Sequence, residues 1–124
     1  MVYEFEKLKV WQSAMGLAKK IYLITRNFPD DEKYGMVSQI RRAGVSVSLN
    51  IAEGRGRYYD KVFVQFLYQA RGSLYEVIIL VKLACELEYL DDEKAKDLLV
   101  DCDNISGMLS GLIKSIKKNI EGKL

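Results

Sequence analysis

A chain of 124 residues, 49% hydrophobic and 29% charged, holds one core, has no room for a second, and is too apolar to stay disordered. A net charge of +2 says little about partners, so the distribution of charge has to carry that question. No run approaches the ~20 apolar residues of a membrane span, and Met1 to Glu6 lack the basic start and apolar run of a signal peptide, so a cytoplasmic protein without a membrane partner is expected.

The single proline, Pro29, favours long unbroken helices. The first is expected at about 5–27, with Trp11, Ala14, Met15, Ala18, Ile21, Tyr22 and Thr25 at helical spacing. It stops where Pro29 forces Phe28 out of the helical region. The second is expected at about 31–55, capped by Asp30 or Asp31. Met36, Val37, Ile40, Gly44, Val47 and Ile51 form its stripe, and it ends at Gly54 to Arg57.

The third, about 60–90 with Asp60 as cap, steps by four and three through Phe63, Leu67, Ala70, Leu74, Val77, Val81 and Ala84. The fourth, about 92–119, begins at Asp91 or Asp92 and continues through Ala95, Leu98, Cys102, Ile105, Leu109, Leu112 and Ile116. Short connections between helices of such length predict antiparallel neighbours. The fold class is an all-α, up-down four-helix bundle in a single domain covering residues 1–124.

Catalysis finds no support. With no histidine in the chain, Ser/His/Asp and Cys/His nucleophiles, Glu-x-x-His di-iron sites and Arg-x4-His nuclease motifs are all excluded. There is no phosphate-binding glycine loop, and Cys85 and Cys102 read as buried free thiols rather than metal ligands. No catalytic residue, metal or cofactor is expected.

Three features point towards binding instead. The third helix is apolar beyond one stripe, above all over Val77 to Val81, so Val64, Tyr68 and Ile79 are expected at a homo-oligomer interface. Gly107 and Gly111, four apart, are expected at a close helix crossing within the chain. Charge is segregated: between Ser38 and Tyr75, Arg41, Arg42, Arg55, Arg57, Lys61 and Arg71 face only Glu53 and Asp60, and Lys114, Lys117, Lys118 and Lys123 follow near the C-terminus. Between Glu86 and Asp103 eight acids outweigh Lys94 and Lys96. Alternating helices bring both basic stretches to one end. There Arg55, Arg57, Tyr58, Tyr59, Lys61, Lys114, Lys117 and Lys118 form a candidate surface for phosphates and stacked bases of RNA or DNA. Gln39, Arg42, Asn50, Glu53 and Arg71 are expected as a buried structural polar cluster. A scaffold that recruits a partner enzyme without touching nucleic acid is the other reading.

Phe5-Glu6-Lys7-Leu8, Val10-Trp11-Gln12, Gln39-Ile40-Arg41-Arg42-Ala43, Asn50-Ile51-Ala52-Glu53-Gly54 and Ala70-Arg71-Gly72-Ser73-Leu74-Tyr75-Glu76 together resemble the four-helix-bundle proteins encoded in 23S ribosomal RNA intervening sequences. The family usually carries Ile-Pro-Ser before that asparagine; Val47-Ser48-Leu49 departs from it, so the proline kink is not expected. The resemblance implies a bundle without catalytic residues. Through similarity in fold to the accessory variability determinant of diversity-generating retroelements, it also implies a pentamer whose basic surface engages nucleic acid and a nucleic-acid-processing enzyme.

Overall fold

The computed structural model describes residues 1–122, and Lys123, one of the C-terminal lysines named above, lies outside the described residues. Four helices form the domain: α1 (Lys9–Thr25), α2 (Met36–Arg55), α3 (Asp60–Glu86) and α4 (Asp92–Gly122). Ser46 meets Ser73 while Gly54 meets Phe63 and Phe66, so α2 and α3 run antiparallel. Arg41 on Thr25 with Gly44 against Ile21, and Lys117 on Tyr68 with Cys85 on Asp92, give the same sense to α1–α2 and α3–α4.

The core is the predicted stripes. Ile21, Ile40, Val47, Ile51, Leu67, Leu74, Val77, Leu98, Ile105 and Leu109 are fully buried along the axis. In α1, however, Val10 and Leu17 point inward, while Met15 and Tyr22 are exposed, and in α4 Ile113 is buried in place of the half-buried Leu112.

The helix ends differ from expectation for local reasons. Residues Glu4–Lys7 form a separate 3-10 turn, because Leu8 adopts an extended conformation and α1 starts only at Lys9. Asp30 and Asp31 do not cap α2. They lie in a second 3-10 turn, Asp30–Glu32, and the Glu32 carboxylate accepts the Met36 backbone N–H at 3.3 Å. The other Glu32 oxygen accepts the Tyr89 hydroxyl at 3.0 Å, and this bond raises the phenol pKa above its ordinary value.

Asp60 is the first helical residue of α3, preceded by Tyr59 in cap position. α3 stops at Glu86 rather than 90. Glu88 takes a left-handed φ of 63°, and the Tyr89 N–H returns to the Ala84 carbonyl at 2.8 Å, which closes off the last turn. Asp91 is the cap of α4, accepting the Lys94 N–H at 2.8 Å. α4 continues to Gly122.

Candidate functional site

The connection between α2 and α3 carries one half of the basic end. Tyr58 and Tyr59 are 91% and 67% exposed, with rings edge to face at 4.9 Å. Lys61 is exposed in the first turn of α3. Arg55 reaches Glu4 at 3.7 Å, and Arg57 reaches Glu53 at 3.9 Å while its guanidinium lies over the Phe66 ring. Long exposed ion pairs of this kind contribute about 0 to 1 kcal/mol, so they hold the two arginines only loosely.

The second half is a groove between α3 and α4. Arg71, Lys114, Lys117 and Lys118 line it with Ser110, Ile113 and one carboxylate, Glu121, around a volume of about 430 Å³. Tyr68 organises two of these cations. The Lys117 ammonium donates to its hydroxyl at 2.6 Å and lies 5.1 Å from the ring centre, and the Arg71 guanidinium sits 4.9 Å from the same centre. Arg71 is half-buried in the groove, whereas the three lysines are exposed.

Arg71 therefore takes a place other than the one read from sequence. It belongs with the C-terminal lysines and not to a buried cluster on α2, while Tyr68, expected at a homo-oligomer interface, is partly exposed beside Arg71 and Lys117. The signal was in the phase of the two helices: Tyr68 and Arg71 are three apart, and Lys114, Lys117 and Lys118 recur at three and four on the helix that faces them.

The expected polar cluster is not assembled. Gln39, Arg42 and Glu53 are exposed on α2. Asn50 is half-buried and donates within its own helix, to the Ser46 carbonyl at 2.9 Å and the Ser46 hydroxyl at 3.1 Å. Ser46 then bonds Ser73 across the interface at 2.9 Å, so a chain of small polar side chains links α2 and α3 there. Serine carries little signal in sequence, so this link is not legible there.

Val64 is 6% exposed and belongs to the core of the single chain, so it is not available to another subunit. Ile79, at 64%, is available, and with Tyr75 and Leu83 it forms an exposed apolar flank of α3. The turn Val77 to Val81 is thus mostly core, with Val77, Leu80 and Val81 buried. Gly107 and Gly111 are exposed, and a Cβ on either would meet nothing within 4 Å, so the expected crossing within the chain is absent there.

At the opposite end the acids of residues 86–103 are joined by Asp30, Asp31 and Glu32, brought there through the Tyr89 contact. Lys20 of α1 is held between Asp101 and Asp97 at 2.7 and 3.1 Å, and these bonds raise its pKa. Among the described residues no group of three His, Cys, Asp or Glu side chains is placed to hold a metal ion. No described helix is long and apolar enough to cross a membrane.

Residues 6–111 match the family described as 23S rRNA-intervening sequence protein. Among solved structures, the chain is similar to a protein of unknown function of the S23 ribosomal protein family from Bacteroides thetaiotaomicron, with a TM-score of 0.76 and 25% identity over 85% of this chain and 98% of that one. No curated protein matches.

Proposed function

The chain belongs to the 23S rRNA-intervening sequence protein family, and from that premise we propose that it is a non-catalytic, homo-oligomeric bundle that binds RNA or DNA through its basic end with little sequence preference. The observation that carries this reading is the convergence of Arg71, Lys114, Lys117 and Lys118 on one groove with a single carboxylate among them. Four cations drawn together from two helices repel one another, and an anion with several charges relieves that repulsion. A polynucleotide backbone is such an anion, and it carries no side-chain pattern that would require a shaped pocket. The exposed arginines and tyrosines of the α2–α3 connection extend the same surface.

Self-association fits the exposed flank of α3. Ile79 and Leu83 are large apolar side chains on one side of one helix, and burial against another subunit removes them from water. Cyclic repetition of a modest basic groove converts several weak contacts into useful affinity.

Fluorescence anisotropy with short RNA and DNA at several salt concentrations tests the binding. Affinity is expected to fall linearly on a log–log plot, by about 0.9 in slope per phosphate contacted on duplex DNA. Absence of binding at low salt overturns the reading. A scaffold that recruits an enzyme, presented through the same apolar flank, then takes its place.

A further inference from the structure

We propose that the groove between α3 and α4 takes a single strand of RNA or DNA in preference to a duplex, its phosphates on Arg71, Lys114, Lys117 and Lys118 and its bases towards Tyr75; this rests on the nucleic-acid reading above. Reach is the first reason. Arg71 is half-buried within the groove, held over the Tyr68 ring, while Lys114, Lys117 and Lys118 are exposed. Duplex phosphates lie on the outside of a stiff cylinder and meet the exposed lysines alone. A single strand bends into a concave, positively charged track and reaches the recessed guanidinium as well.

The second reason is the aromatic side chain beside the cations. Tyr75 is 52% exposed and stands four residues beyond Arg71, one helical turn or about 6 Å along the axis, on the same flank of α3. A strand whose phosphate lies on Arg71 therefore has a free ring next to it on which an unpaired base stacks. Duplex bases are already stacked on each other and gain nothing from that ring. Tyr68 has a different part: its ring and hydroxyl are occupied by Arg71 and Lys117, so it positions the cations and does not itself stack a base.

The test is fluorescence anisotropy of the full chain with labelled oligo-uridine, oligo-thymidine and a hairpin duplex of equal length, at several salt concentrations. The single strands are expected to bind at least about fivefold more tightly than the hairpin, the size of one stacked base. Tyr75→Ala, at an exposed position, is expected to lose about fivefold on single strands and to leave the hairpin unaffected. Lys117→Ala, also at an exposed position, is expected to flatten the single-strand salt slope by about 0.7. Arg71→Ala is expected to lose more, and Lys117→Ala stands in for it should that variant fail to fold.

Equal affinity for strand and hairpin, or a Tyr75→Ala variant that loses both alike, overturns the groove proposal while the broader nucleic-acid reading survives. The same holds if Arg55→Ala/Arg57→Ala abolishes binding and Lys117→Ala leaves affinity and slope unchanged. Binding of an acidic peptide as tight as that of oligo-uridine, or no binding of any polynucleotide, overturns both.

Discussion

A Cβ placed on Gly54 would stand 2.6 Å from the Phe66 Cβ and 2.9 Å from the Phe63 ring, so α2 and α3 touch here through a residue that has to lack a side chain. The last residue of the Asn50 to Gly54 element is thereby explained as a packing requirement, four residues from the Asn50 that bonds Ser46.

Gly54→Ala is expected to destabilise the fold by about 1 to 3 kcal/mol, the usual cost of overpacking against groups that cannot move aside. Phe66 presents its Cβ, which is fixed to the α3 backbone, so relief requires the helices to separate. Gly44→Ala is the internal comparison. Its Cβ meets the Ile21 Cδ1 at 2.7 Å, the far end of a flexible side chain, and a gain of up to about 1 kcal/mol in helix propensity offsets the clash. Urea denaturation of both variants checks the contrast, and a Gly54→Ala protein as stable as Gly44→Ala contradicts it.

Glu53 and Glu32 reverse the ranking that sequence suggests. Glu53, beside Asn50, reads as a buried structural acid, yet it is exposed with only a 3.9 Å contact to Arg57. Glu53→Ala is expected to change stability by less than about 0.5 kcal/mol. Glu32 ends the 3-10 turn before α2, and its carboxylate closes the N-terminus of α2 at Met36. Glu32→Ala is expected to cost about 1 kcal/mol, the loss of a helix cap. Thermal melts of the two variants decide between the rankings.

The stripes of α2, α3 and α4 were legible because burial along a helix repeats every three and four residues, and Ile40, Leu74 and Leu98 sit where that period puts them. Ends were less legible. Glu32 replaces the local caps Asp30 and Asp31 through a carboxylate four residues from its donor, and Glu88 ends α3 with a left-handed φ that no glycine announces. The basic end was half legible. Lys114, Lys117 and Lys118 follow from charge and topology, but Arg71 joins them only because the register of α3 on α4 turns Tyr68 towards Lys117, and registers between helices are not written in one helix's period.

Cys102 is fully buried, and desolvation of its thiolate pushes the pKa up to about 12. The folded state therefore holds this proton more tightly than the unfolded chain does. The sign follows directly: the contribution to stability is fully present below the unfolded thiol pKa near 9 and is lost as pH rises towards about 12. Over that window the wild type is expected to lose stability relative to Cys102→Ala at up to about 1.4 kcal/mol per pH unit. Denaturation at pH 8, 9 and 10 measures it, and parallel curves for the two proteins contradict it. Cys102 is also expected to resist thiol reagents at pH 8 until the protein unfolds.

Val64 and Ile79 are both apolar residues of α3, but burial separates them: one is 6% exposed and the other 64%. An aspartate at Val64 places an unpaired charge inside the bundle, so Val64→Asp is expected to destabilise the subunit itself by several kcal/mol. An aspartate at Ile79 remains in water in a single subunit and meets a low-dielectric surface only if that flank packs on another copy. Ile79→Asp is therefore expected to keep helical content and the melting behaviour of an isolated subunit while shifting the sedimentation profile towards 14.2 kDa. Sedimentation velocity on wild type and Ile79→Asp at micromolar concentration, with circular dichroism on all three proteins, makes the separation. A wild type that already sediments as a 14.2 kDa monomer removes the homo-oligomer from the proposed function. An oligomer that survives Ile79→Asp moves the interface off this flank, and the open strip around Gly107 and Gly111, where an added Cβ meets nothing, becomes the next surface to mutate.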